Sequence, residues 1–224
     1  MRALVLAALA AILVIPASAL AQDTDEALWL AAYGQGTLGA KGRLHLEFQT
    51  RLNHDMSDLD RMIARYAVGR QITPRIVMLV GHAWIPMFQP SLRHEQRLWQ
   101  QMLFTSRVNS WTIATRLRTE QRWLPEVEGI SYRVRGQLRV THPVSEGSRW
   151  SAALAEEVAV SANSREGGPQ RGLDRTRLSA GVIRQIQPSL SMESGYTWEA
   201  IRRVAASYRH NHILTVSMTS RFGW

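Results

Sequence analysis

Residues 42–53 read GRLHLEFQTRLN. Leu44, Leu46, Phe48, Thr50 and Leu52 fall on one parity, and Arg43, His45, Glu47, Gln49 and Arg51 on the other. A period of two held over this length marks a β-strand with one oily and one charged side. The fold turns on which side meets solvent, and on whether that solvent is water or lipid.

The same alternation recurs. In residues 111–123, WTIATRLRTEQRW, Trp111, Ile113, Thr115, Leu117 and Thr119 oppose Arg116, Arg118, Glu120 and Arg122. In 131–141, SYRVRGQLRVT, Tyr132, Val134, Leu138 and Val140 oppose Arg133, Arg135 and Arg139. The closing stretch 211–224 sets Leu214, Val216, Met218, Phe222 and Trp224 on one side. Weaker strands are expected over 60–72, 75–85, 95–105, 150–161, 174–186 and 190–199. Both faces of 75–85 are apolar, which leaves its orientation open. Polar and apolar residues mix in 95–105. Glu156 falls on the oily parity of its strand and suggests a bulge or a shifted register there. Shorter connections such as TPR (73–75) and QPS (187–189) alternate with longer ones such as LPEVEG (124–129) and ANSREGGPQRGL (162–173). That rhythm describes an antiparallel up-and-down meander with one plain and one elaborated end.

Met1-Arg2, the uncharged apolar run 3–16 and Ala19-Leu20-Ala21 have the form of a secretory signal peptide, which places the mature start at Gln22. No later stretch offers the eighteen or so apolar residues of a membrane helix. There is no cysteine, so neither disulfides nor thiolate chemistry is available. The formal charge of +9 falls to +8 without Arg2, and Lys41 is the only lysine. In an exported chain, such a basic excess points to pairing with glutamate and to anionic lipid or lipopolysaccharide. Nucleic acid is not expected as a partner.

Three features favour a membrane barrel over a soluble, lipocalin-like one with its apolar face inward. Strands of ten to thirteen residues suit a tilted bilayer crossing, which takes about 9–11; soluble strands run nearer five or six. Trp111, Trp123, Tyr132, Trp150, Trp198, Phe222 and Trp224 sit at or near strand ends, where membrane barrels carry aromatic girdles. The chain closes on an aromatic strand, and Phe222 with Trp224 resembles the assembly signal read by the outer-membrane barrel machinery. An arginine turned to lipid near the midplane costs about 2–4 kcal/mol. Arg116, Arg118, Arg133, Arg135 and Arg139 share one parity, so that parity must face the lumen. The expected lumen lining is Arg43, Glu47, Arg51, Arg65, Arg116, Arg118, Glu120, Arg122, Arg133, Arg135 and Arg139. The expected lipid-facing set is Leu44, Leu46, Phe48, Ile113, Leu117, Val134, Leu138, Leu214, Val216, Met218 and Phe222.

The stretches GHAWIP (81–86), EQRLWQQMLF (95–104), TRLRTEQRW (115–123), YRVRGQLRV (132–140) and HILTVSM (212–218) add a resemblance. Over most of the mature chain, the sequence resembles a family of uncharacterised Gram-negative outer-membrane proteins, known only as a domain of unknown function. The resemblance implies a β-barrel and an outer-membrane address, and no activity.

The expectation is therefore an all-β barrel over 42–224, after a signal peptide at 1–21 and a lead-in segment at 22–41. Ten strands is the first reading and twelve the second, because both termini of such barrels normally share the periplasmic side; residues 27–39 would make an eleventh. Two readings of the lumen stand: an interior cross-linked by arginine and glutamate, or a narrow path favouring anions. A third reading is a lipid-modifying acyl hydrolase, for which Ser207 with His210 or His212 is the best nucleophile–base pairing. His210 and His212 lack a third metal ligand. HDMSDLD (54–60) lacks the glycine and closing glutamate of a calcium loop. No phosphate loop or dinucleotide fingerprint is present, so no cofactor is expected.

Overall fold

The computed structural model describes residues 23–202 and 207–223. The segment 1–21, read from sequence as a signal peptide, and the terminal Trp224 lie outside them. The described residues form eleven strands, the first six being β1 Asp23–Leu38, β2 Gly42–Asn53, β3 Asp58–Thr73, β4 Ile76–Met87, β5 Arg93–Val108 and β6 Trp111–Trp123. The remainder are β7 Ser131–Pro143, β8 Trp150–Ser161, β9 Gly172–Gln187, β10 Leu190–Arg202 and β11 Tyr208–Gly223. Each pairs antiparallel with the next, and β1 closes the cylinder against β11.

The closing pair is parallel, from Asp23↔Arg209 to Thr37↔Gly223. This corrects the strand number from ten or twelve to eleven. It also corrects the lead-in segment, because residues 23–38 are a full wall strand hydrogen-bonded on both sides. Evenness followed from assuming that both termini leave by one rim. A parallel closure instead puts the start of β1 and the end of β11 at opposite rims. Small residues permit the fit. Gly34 and Gly36 face the ring of Phe222, which would lie 2.7 Å from a Cβ at position 36.

The short turns, including Asn109-Ser110 and Pro188-Ser189, share the rim where β11 ends. The longer connections 54–57, 88–92, 124–130 and 162–171 share the other rim with the start of β1. Asn109 takes a positive φ of 54° in its two-residue turn, a conformation that asparagine tolerates well.

Side chains alternate along every strand, and the sense is the inverse of a soluble barrel. Phe48, Leu117, Leu214 and Met218 are exposed on the outer face at 51, 46, 48 and 45%. Leu46 and Val134 are exposed beside them. Leu44, Ile113, Leu138, Val216 and Phe222 share that parity and are half-buried among their neighbours. Arg65, Arg118, Arg122 and Arg133 are buried on the inner face, as are Glu95, Glu120, Glu157 and Glu199. The strand with two apolar faces, β4, turns Leu79, Ala83 and Ile85 inward, and Met78, Val80 and Trp84 outward. Inside, it builds a cluster of Ile63, Ala67, Ala83, Ile85 and Trp99 against Leu79 and Met87. Glu156 needs no bulge. It pairs in unbroken register with Leu138 and Leu178 and faces outward, and the irregularity in β8 falls later, between Ala159 and Val160.

The closure register is open to direct chemical test in a chain without cysteine. Ala32→Cys with Met218→Cys, which are ladder partners, should form a disulfide on mild oxidation, because paired Cα atoms fall in the range a disulfide spans. Leu28→Cys with Met218→Cys should not. The opposite result on non-reducing gels would reject the parallel seam.

Candidate functional site in the barrel interior

The alternation that greases the outside concentrates charge within. Fifteen arginines border the interior cavity, including Arg43, Arg51, Arg65, Arg116, Arg118, Arg122, Arg133, Arg135 and Arg139, together with Glu47. Glu120 lies buried behind them. All eleven residues assigned to the lumen from sequence therefore sit on the inner face. Six arginines of the lining were not singled out: Arg61, Arg97, Arg107, Arg175, Arg177 and Arg221. Arg97 was hidden because the inner face of β5 is itself mixed, running Glu95, Arg97, Trp99, Gln101 and Leu103.

Register decides how these charges combine. Glu120 lies opposite Arg133, Glu157 opposite Arg177, and Arg177 opposite Glu199. Opposed unlike charges support a sheet, and here they link into a ring. Glu120 accepts from Arg133 at 2.5 Å and from Arg135 at 2.9 Å. Arg135 reaches Glu157 at 2.6 Å, which accepts from Arg177 at 3.0 Å. Arg177 donates to Glu199 at 2.5 Å, and Arg175 reaches the same carboxylate at 3.3 Å. Asp174 lies 3.4 Å from Arg175 and accepts from Arg133 at 3.0 Å, closing the circuit. The alternating ring spans β6 to β10. A branch runs through Glu95, which accepts from both Arg97 and Arg122 at 2.7 Å. Charge-assisted, often two-pronged bonds of this kind are the strong ones.

Two tryptophans turn inward and take up further guanidinium groups. Arg51 stacks 3.7 Å and Arg177 4.9 Å from the ring of Trp29. Arg118 lies 4.4 Å from the ring of Trp99. Such contacts gain strength when shielded from water.

The network does not fill the interior. A cavity of about 1350 Å³ runs from the short-turn mouth, at Arg107 and Arg221, to the loop ends of the strands, at Arg61, Arg122 and Arg175. A second, of about 570 Å³, lies among the loops, lined by Gly168, Pro169, Arg202 and Ser207. Arg122 and Arg175 line both, so they form the partition between them.

The residues considered for hydrolysis are not brought into one site. Ser207 lines the loop-side cavity. His212 is exposed on the outer face, where its Nδ1 meets the Tyr196 hydroxyl at 2.6 Å. His210 packs at a tilt against Trp198, 5.3 Å between ring centres. A different serine–histidine contact forms at the short-turn rim, Ser110 to His142 at 2.7 Å; no carboxylate bonds the far side of that imidazole among the described residues. No group of three or more potential metal ligands occurs among the described residues.

A closed all-β cylinder, apolar outside and ionic within, defines the class: a β-barrel whose interior is a packed charge network. The chain belongs to the protein family of unknown function DUF2490, whose profile matches residues 26–210. It is similar to an uncharacterised protein of Methylorubrum extorquens, with 27% identity over 204 residues covering 88% of each chain. The matched region includes every member of the ion-pair ring.

Removing one partner from a buried ion network costs about 3–5 kcal/mol, because an uncompensated charge is left behind. Glu120→Gln should therefore destabilise the barrel by about that much in urea unfolding from lipid vesicles. Glu126→Gln, which disturbs an exposed loop pair with Arg93, should cost at most about 1 kcal/mol. Equal effects would mean that the ring adds no stability.

Proposed function

We propose that this protein is an outer-membrane β-barrel of a Gram-negative bacterium, exported through the segment 1–21 and folded into the membrane by the barrel assembly machinery. Its interior is a closed brace rather than a conducting channel. The observation that carries the membrane address is the outer surface. From Phe48 and Tyr66 round through Met78, Leu98, Leu117, Leu154, Val182 and Leu214, exposed apolar side chains occur on strand after strand. Soluble monomers rarely expose an apolar patch beyond a few hundred Å², whereas lipid requires such a band. Trp84, Trp123 and Tyr132 edge the band towards the loops, and Trp111 and Trp150 edge it towards the short turns, as expected of rings seated at headgroup level. Glu156 is a charged exception in the middle of the band; a glutamate there costs less than an arginine would.

Closure is supported by the partition. Eight-stranded barrels are filled by side chains, while those of sixteen strands leave a channel. Eleven strands fall between, and the ion network crosses the loop half, where Arg122 and Arg175 stand between the two cavities. An anion path would require Arg122 and Arg175 to leave their carboxylates. With the loops outside the cell, the short-turn cavity opens to the periplasm, lipid and lipopolysaccharide surround the wall, and the start of β1 stands at the outer rim.

Two measurements bear on this reading. Wild-type protein in planar bilayers should give no current steps, and Arg122→Ala with Arg175→Ala should give them; steps of equal size from both would reject the closed interior. Epitope tags at 54–57 and immediately before Asp23 should be labelled on intact cells, and a tag at 144–149 should not. A processed protein that stays monomeric in water without detergent would reject the membrane reading altogether.

A further inference from the structure

The short-turn cavity has two unlike walls. Val77, Leu79 and Leu103 line one side of it. Leu79 continues downward onto the buried cluster around Ile85 and Trp99. Val77 and Leu103 are ladder partners, and Leu103 also pairs with Arg116. The apolar strip is thus bordered directly by arginine.

The second wall carries charge that the protein does not neutralise. Each of the eight carboxylates that meet the lining arginines is already engaged in an ion pair. Against fifteen lining arginines, this leaves several guanidinium groups without a carboxylate among the described residues. Arg118 bonds Gln101 and stacks on Trp99, and Arg51 bonds Gln49 and stacks on Trp29. Arg43, Arg107 and Arg221 stand towards the mouth. Among the described residues, Arg43 meets only the Gln71 side chain and the Gly42 carbonyl, and Arg107 and Arg221 make no ion pair. Arg107 and Arg221 are exposed at this mouth, and uncompensated cations around one concave opening favour an anion. An apolar strip left facing water in the same cavity favours an alkyl group.

We propose that this vestibule binds a single-chain anionic amphiphile, an alkyl chain bearing a carboxylate or phosphate head. The head sits among Arg43, Arg107 and Arg221 at the mouth, and the chain lies along Val77, Leu103 and Leu79. Roughly 20 Å of strand separates Arg107 from Gln101, part-way to the partition, at about 3.3 Å per residue. That depth takes a chain of medium length, and the volume of about 1350 Å³ exceeds what such a ligand fills. The inference extends the closed-barrel reading, since the ion network supplies the floor of the pocket.

The test uses purified full-length barrel held in amphipol, with calorimetric titration of laurate, dodecyl phosphate, dodecanol and inorganic phosphate. At least one of the two charged amphiphiles should bind, at least tenfold tighter than dodecanol or inorganic phosphate; which one does so tells a carboxylate head from a phosphate head. Arg43→Gln with Arg107→Gln should weaken that binding at least tenfold. Leu79→Asn with Leu103→Asn should remove the preference for the alkylated anion over the inorganic one. Heat-shifted gel mobility identifies variants that have kept the barrel. Binding of inorganic phosphate as tight as that of dodecyl phosphate would overturn the proposal, as would charged amphiphiles binding no tighter than dodecanol. Indifference of the ligands to both folded double variants would overturn it too. Current through the wild-type barrel would instead count against the closed interior, separately from these binding results.

Discussion

The constraint on which the structure rests is that a barrel with a greasy outside must find partners for the charges it buries within. A guanidinium taken out of water is expensive unless its donors are met. Arginine and glutamate on neighbouring strands meet that demand here through direct ladder opposition, Glu120 with Arg133 and Glu157 with Arg177. The ring they start draws five strands together through side chains as well as backbone bonds. Arginine suits this role because its planar fork can serve two carboxylates at once, as Arg135 does between Glu120 and Glu157.

The interior is uneven around its circumference. Strands β6 to β10 carry the ionic ring, whereas β3 to β5 contribute Ile63, Ala67, Ala83, Ile85 and Trp99. Trp99 joins the two regimes. Its ring packs in the apolar cluster and receives the cation of Arg118 on its face. This division allows the cavity above the network to present an apolar strip beside unpaired arginines, a combination that neither regime would produce alone. The seam between β1 and β11 is a separate device. Phe222 of β11 lies over Gly34 and Gly36, so its large ring covers the place where β1 carries no outward side chain of its own. Packing an aromatic over strand glycines restores cover to the pleat.

Much of this was legible beforehand, and for a definite reason. Strand side chains repeat every two residues, so one charged parity in 42–53, 111–123 and 131–141 was enough to orient those strands. All ten lumen residues read from them sit on the inner face, and so does Arg65 from the weaker stretch 60–72. The period was silent where both faces share a character. β4 could not be oriented, since Leu79 and Ile85 inside look like Met78 and Val80 outside. β5 looked disordered in pattern because Trp99 and Leu103 interrupt its charged face. Glu156 looked like a register error and is simply an outward glutamate. The Ser207, His210 and His212 grouping rested on closeness in sequence, which along a strand says nothing about sharing a face once a loop residue is included.

By itself the sequence determined the local terms: strand identity, the facing of the regularly patterned strands and the chemical character of the interior, because these follow from spacing within a single segment. Only the tertiary structure decided the count of eleven, the parallel seam, which arginine meets which carboxylate and where the interior is partitioned. Those are properties of closure. They depend on the register between strands far apart in the chain, Asp23 against Arg209 above all, and a one-dimensional pattern carries no record of which two edges will meet.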